Sequence, residues 1–323
     1  MTIKHTATIV LLAAAATCTS AGAADEYPNK PIRIIVPYAP GGGTDAVTRI
    51  IGQKLNERFG QTIVVDNRPG AASMIGTEIT AKSAPDGYTL ILSDTPHTIN
   101  PSILRKVPFD PIKDFTPIAL VASSPLMLVV HPAVPAQTLK AFIELAKAQP
   151  GKIVLASGGT GATTHIVGEL FKLRAGVDLV HVPYKGTGPA LADVLAGQIQ
   201  STFTTTPGAM PQVKAGKLRA LAVSTKKRSI GAPDVPTFEE LGVKDFEAAN
   251  WYGFQAPAGL PAPVLKVLST EMIRAATLPD VRERFITLAL DPGTMPPDQF
   301  KAFIAAEVKK WAAVVKAAGI QPE

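Results

Sequence analysis

Two glycine-rich loops hold the residues best suited to chemistry. Pro40-Gly41-Gly42-Gly43-Thr44-Asp45 follows an apolar run and precedes a helical pattern. Glycines at that junction leave backbone N–H groups uncovered at a helix N-terminus, where the peptide dipoles favour an anion. Thr44 or Asp45 is a natural N-cap. A tight turn that merely needs glycine would look the same. Ser157-Gly158-Gly159-Thr160-Gly161-Ala162-Thr163-Thr164-His165 occupies the corresponding place in a second unit. Its hydroxyls and N–H groups suit a carboxylate that must be held and then released. His165 falls on the first helical turn, where the dipole favours neutral imidazole, and packing explains it as well as ligand contact does.

Three further segments could complete such a site. Ser93, Thr95 and His97 follow the apolar run Thr89–Leu92. Tyr184, Lys185 and Gly186 follow Leu179–Val182; Tyr184 could stack on or hydrogen-bond a ligand and Lys185 could neutralise it, though a solvated surface lysine is the plainer reading. Thr204 opens a threonine run that adds hydroxyls or only packing. Tyr38 sits just before the first glycine loop. Catalytic patterns fare worse. There is no Gly-x-Ser-x-Gly, no His-Glu-x-x-His and no Cys-His arrangement, and the five histidines show no paired metal spacing. No cofactor is expected, and His131 and His181 read as structural.

The elements that must position these loops alternate. Ile32–Val36 is an apolar run bounded by prolines, as in a buried parallel strand. Val47, Ile50, Ile51, Leu55 and Phe59 recur at helical spacing, closed by Gly60. Ile63–Val65 and Thr89–Leu92 repeat the strand pattern around a helix near Ile75–Lys82. The same order restarts after Pro150: strands at Lys152–Ala156, Leu179–Val182, Ser201–Thr204 and Leu218–Val223, with helices from Ile166 and from Pro189 to Gly197. This βαβ order predicts α/β lobes with helix-covered sheets. Two long β-rich segments, Ile118–Val130 and Ala249–Ala256, read as crossings between the lobes. Helices at Pro263–Ala276, Asp280–Leu288 and Pro297–Ala318 follow. The predicted division is a discontinuous lobe of residues 27–123 and 250–323, and an inserted lobe of residues 124–249. Two lobes joined by two strands make a clam-shell.

Composition narrows the classes. The chain has 323 residues, 46% hydrophobic and 18% charged, enough for two cores and against disorder. A net charge of +6 is scattered and gives no nucleic-acid groove. Residues 1–23 read as a cleaved secretory signal: Lys4, a short apolar run, and Ala21-Gly22-Ala23 at the cleavage site. Cleavage after Ala24 and a lipid-modified Cys18 are the alternatives. Removing this segment takes away the single cysteine and one lysine, leaving +5 and no disulfide. A soluble, exported, periplasmic monomer is expected.

Taken in order, the motifs resemble the extracytoplasmic substrate-binding receptors of tripartite tricarboxylate transporters, the Bug-type proteins. The matching stretches are Tyr27–Pro40 with PGGGTD, VVDNRPGA (Val64–Ala71), APDGYTL (Ala84–Leu90), HTINPSI (His97–Ile103) and DFTPIALVA (Asp114–Ala122). SGGTGATTH, the run His181–Gln200, KAGKLRALAVST (Lys214–Thr225), DVPTFEELG (Asp234–Gly242) and NWYGFQAPAG (Asn250–Gly259) complete the set. The resemblance implies a type II periplasmic binding fold, no enzymatic activity, and delivery of a small carboxylate to membrane permease subunits. It also implies that Gly42, Gly43, Thr44 and Asp45 hold a ligand carboxylate opposite Ser157, Gly158, Thr160, Thr163 and His165. Residues after Leu92, and Tyr184 with its neighbours, would read the rest of the ligand. Two departures stand out: Ala72-Ser73-Met74 where relatives often have Gly-Gly-Asn, and Thr204 where they commonly carry an acid. Losing an acid removes an ammonium partner, which favours a dicarboxylate or aromatic carboxylate over an amino acid. A hydrolase using the same loops, and a receptor presenting ligand to a membrane sensor kinase, are the competing readings.

Overall fold

The computed structural model describes residues 27–322; the expected signal segment lies outside the described residues. In chain order the elements are β1 (Ile32–Val36), α1 (Gly43–Phe59), β2 (Ile63–Asn67), α2 (Met74–Ala81), β3 (Thr89–Asp94), α3 (Pro96–Ile103) and β4 (Phe115–Val130). There follow α4 (Leu139–Ala148), β5 (Val154–Ser157), α5 (Thr163–Ala175), β6 (Val180–Pro183), α6 (Thr187–Leu195), β7 (Ser201–Thr205), α7 (Thr206–Lys214) and β8 (Arg219–Val223). The chain closes with β9 (Ala249–Pro257), α8 (Ala262–Thr277), α9 (Pro279–Thr287), β10 (Asp291–Met295) and α10 (Pro297–Ala317).

The strands pair in the order β2-β1-β3-β9-β4-β7-β5-β6, with β8 and β10 also against β4. β4 is the pivot. Its stretch Phe115–Pro125 runs antiparallel to β9, and from Leu126 onward it pairs with β7 and β8. The expected break near Ser123-Ser124-Pro125 does not interrupt the strand; this is where β4 changes partners. Each half buries its own core. Ile34, Leu92, Phe254 and Phe285 belong to one, and Leu128, Phe142, Phe171 and Phe203 to the other.

Strand sense settles where the loops meet. β1, β2 and β3 are parallel, β9 is antiparallel to β3, and β4 is antiparallel to β9. β4 therefore shares the direction of β1, and the carboxyl ends of β1 and β3 point toward the second half-sheet. β7 is antiparallel to β4, and β5 and β6 are parallel to it, so their carboxyl ends point back toward the first. The loops after β1, β3, β5, β6 and β7 converge at the midpoint of β4. Open α/β sheets take ligands at such carboxyl ends.

Four elements were not read from the sequence: α3, α4, α7 and β10. α3 replaces the expected loop at Pro96 and His97: Pro96 stands at the start of the helix, where its missing N–H costs nothing, and Pro101 inside it masks the pattern. α7 begins where the threonine run ends, and β10 is a short irregular strand on β4.

Candidate functional site

α1 starts at Gly43 with Gly42 as its N-cap, and no side chain caps it. This corrects the expectation that Thr44 or Asp45 caps the helix. Asp45 sits at the third helical position and reaches back to the loop: its carboxylate accepts from Gly41 N–H (3.1 Å), Arg49 (2.9 and 3.0 Å) and Asn67 Nδ2 (3.1 Å). Asn67 also donates to the Tyr38 carbonyl at 3.0 Å. Arg49 above all, with Gly41 and Asn67, holds Asp45 below the usual carboxylate range against the opposing effect of burial. Asp45 is therefore occupied in shaping the loop, and Gly41–Gly43 stay exposed with the helix N-terminus open. Position 43 requires glycine because a Cβ there would stand 2.5 Å from the Tyr252 hydroxyl.

The floor beneath this loop is polar. Asp94 ends β3, in register with Tyr252 of β9, and the Tyr38 hydroxyl donates to Asp94 Oδ1 at 2.9 Å. Burial pushes Asp94 up to about 7, tempered by the Tyr38 hydrogen bond. Burial likewise raises Tyr252 to about 12. Asp94 was missed as a site residue; its signal was an acid at the carboxyl end of a strand.

The second loop is tied by its own hydrogen bonds. Ser157 Oγ hydrogen-bonds with His181 Nε2 at 2.6 Å, and Gly158 N–H donates to Thr164 Oγ1 at 2.9 Å. Gly161 N–H donates to His165 Nδ1 at 3.0 Å, which makes that nitrogen an acceptor. The His165 and His181 rings stack with centroids 3.9 Å apart and planes 13° off parallel. Burial first, then Lys172 for His165 and the neighbouring ring for His181, lowers both to about 4. Gly186 N–H donates to the Gly158 carbonyl at 2.9 Å and Tyr184 N–H to Ser157 O at 3.0 Å, binding the loop after β6 to the loop after β5. Thr160 and Lys185 are exposed, Thr163 opens α5, and the Tyr184 hydroxyl is engaged by Asp193.

Three expected site residues are engaged inside the first half instead. Ser93 Oγ accepts from Gln255 Nε2 at 2.8 Å, and Thr95 Oγ1 donates to the Ala249 carbonyl (2.9 Å) while accepting from Trp251 N–H (3.2 Å). His97 packs between Phe109 and Phe115 with Nε2 at 3.0 Å from the Pro111 carbonyl. As part of α3 it turns inward, and burial lowers it to about 4. Thr204 is buried in β7 opposite Met127. Surface cavities of about 580 Å³ beside Tyr27, Arg58 and Lys266, and of about 280 Å³ beside His131, lie away from both glycine loops.

Two half-sheets sharing β4, with glycine-loop helix starts converging at the junction, define a two-lobed α/β solute-binding protein. The chain belongs to the tripartite tricarboxylate transporter family receptors, whose family model matches residues 47–320. It is a solute receptor and not an enzyme. It is 39% identical over 298 residues to protein BugT of Bordetella pertussis, covering 92% of this chain and 91% of that one. Among solved structures it is similar to R. palustris Rpa4515 with adipate, at 32% identity and TM-score 0.79, covering 92% of this chain and 100% of the other. It is also similar to MatC from Rhodopseudomonas palustris with bound malate, at 30% identity and TM-score 0.73, covering 90% and 100%. Among the described residues no helix is long and apolar enough to cross a membrane, and no cluster of side chains could hold a metal.

Proposed function

We propose that this chain captures a small carboxylate between the Pro40–Asp45 loop and the Ser157–His165 loop and delivers it to the permease subunits of a tripartite tricarboxylate-type transporter. The observation that carries the reading is the convergence of an uncapped α1 N-terminus with the α5 loop at the midpoint of β4. Open N–H groups hold a carboxylate through hydrogen bonds without a tight ion pair, which suits release. The lobes are residues 27–123 with 250–323, and residues 124–249, with the end of α10 packing across into the core of the second. The protein acts as a periplasmic monomer after removal of residues 1–23.

A dicarboxylate or aromatic carboxylate is preferred over an amino acid. The adipate and malate held by two relatives favour the dicarboxylate. Thr204 offers no charge for an ammonium group. A thermal-shift screen of dicarboxylates, aromatic carboxylates and amino acids tests this. The expected result is stabilisation of several degrees by a dicarboxylate or an aromatic acid, with the ligand recovered unchanged. Preferential stabilisation by aspartate or glutamate would overturn the ligand class.

A further inference from the structure

One acid beside the proposed site has no cation. Asp94 is 6% exposed, and among the described residues no ion pair includes it. The side chains that act on it are neutral. The β1–α1 loop contributes the Tyr38 hydroxyl, which also meets Ser73 at the start of α2. β9 contributes Tyr252, directly across from it. Asp45, on the first turn of α1, is already matched by Arg49. Tyr252 links Asp94 to the helix start, because its hydroxyl packs directly beneath Gly43.

An ionised carboxylate buried without a cation is unfavourable, and a second negative charge brought to the α1 N-terminus makes it more so. Either the ligand is repelled or Asp94 takes up a proton. Burial already places its protonation near neutrality, so little further push is needed.

We infer that carboxylate capture is coupled to protonation of Asp94: the anionic ligand enters as one proton moves from solvent to the Asp94 carboxylate. No bond in the ligand changes, and the proton offsets the charge of the one carboxylate seated at the α1 N-terminus. The neutral carboxyl keeps an oxygen to accept from Tyr38 and gains an O–H to donate. This rests on the carboxylate reading above and deepens it. Above neutrality the complex holds more protons than the free protein, so affinity falls as pH rises.

The test uses the mature protein, malate and adipate as probes, and calorimetry in two buffers of different ionisation heat. Between roughly pH 6.5 and pH 9 both probes stay fully ionised, so the linkage belongs to the protein. Expected for the wild type is net proton uptake on binding that peaks above about pH 7 and fades toward about pH 9, with affinity falling as pH rises through that window. Asp94→Asn, which keeps an acceptor for Tyr38, should abolish both the uptake and the pH slope. Tyr38→Phe removes the bond that favours the ionised form and should move the slope to higher pH. Equal proton uptake in wild type and Asp94→Asn would overturn this proposal alone. Failure of every carboxylate in the preceding screen, these two included, to bind at any pH would overturn the receptor reading with it. Carboxyl-carbon NMR of labelled aspartate gives a ligand-free check: a resonance titrating near neutrality and lost in Asp94→Asn supports the coupling, and an Asp94 titrating in the ordinary carboxylate range contradicts it.

Discussion

The side chains around the second glycine loop are organised by two neutral histidines. His165 accepts from Gly161 N–H, and His181 holds Ser157, while their rings stack. A proton on His165 Nδ1 would destroy its acceptor, and two charged rings in contact would repel. Both are lowered to about 4 in the folded protein against about 6.5 when unfolded. The unfolded chain therefore binds more protons in that window, and stability rises with pH. The expected urea midpoint is full above about pH 6.5 and falls as pH drops toward 4, with a shallower fall in His181→Asn. His97 adds to that slope and Asp94, raised to about 7, opposes it, so the pair's share is the difference between wild type and His181→Asn, and equal falls in both would contradict its role. Asp45 and Asp66 are lowered from ordinary carboxylate values, so they add their loss only at more acid pH. Little of this was readable beforehand. The glycine loops stood out by spacing, but His181 lies in a different strand from His165, and only the register of β5 with β6 brings Ser157 and His181 together. Asp94 was hidden for the same reason: its partners come from the β1–α1 loop and β9.

At the level of elements, the hinge is a packed layer between β9 and α10. Gly253 lies against the Phe300 ring so closely that a Cβ would overlap it, and Trp251 meets Phe300 and Phe303 edge-on at 5.6 and 5.9 Å. Gly253→Ala should cost about 1–3 kcal/mol by overpacking, and Phe300→Leu in that background should recover part of the loss. Urea denaturation of the single and double variants checks this; additive losses would contradict direct contact. The strands and long helices of both lobes follow the sequence periodicity, since burial on one face fixes residue type. α3 and α7 escaped because each contains prolines that read as breaks, Pro96 with Pro101 and Pro207 with Pro211. β10 escaped because Asp291-Pro292-Gly293 has no strand-like pattern.

Across the whole molecule, one helix complicates a simple clam-shell. The 21-residue α10 spans about 31 Å and joins the two halves. Its start packs Phe300 and Ile304 beneath the hinge, while Trp311, Val314 and Val315 enter the core of the second half. Closure must bend β4 and β9 while this brace keeps its grip at both ends. The diffuse positive charge names no partner, so recognition falls to the converging loops. A crystal structure with malate or adipate bound tests that most directly. The expected structure has a carboxylate within hydrogen-bonding reach, directly or through one water, of the N–H groups at the start of α1, with the Ser157–His165 loop against the same ligand. A carboxylate seated elsewhere, with both glycine loops facing solvent, would contradict it.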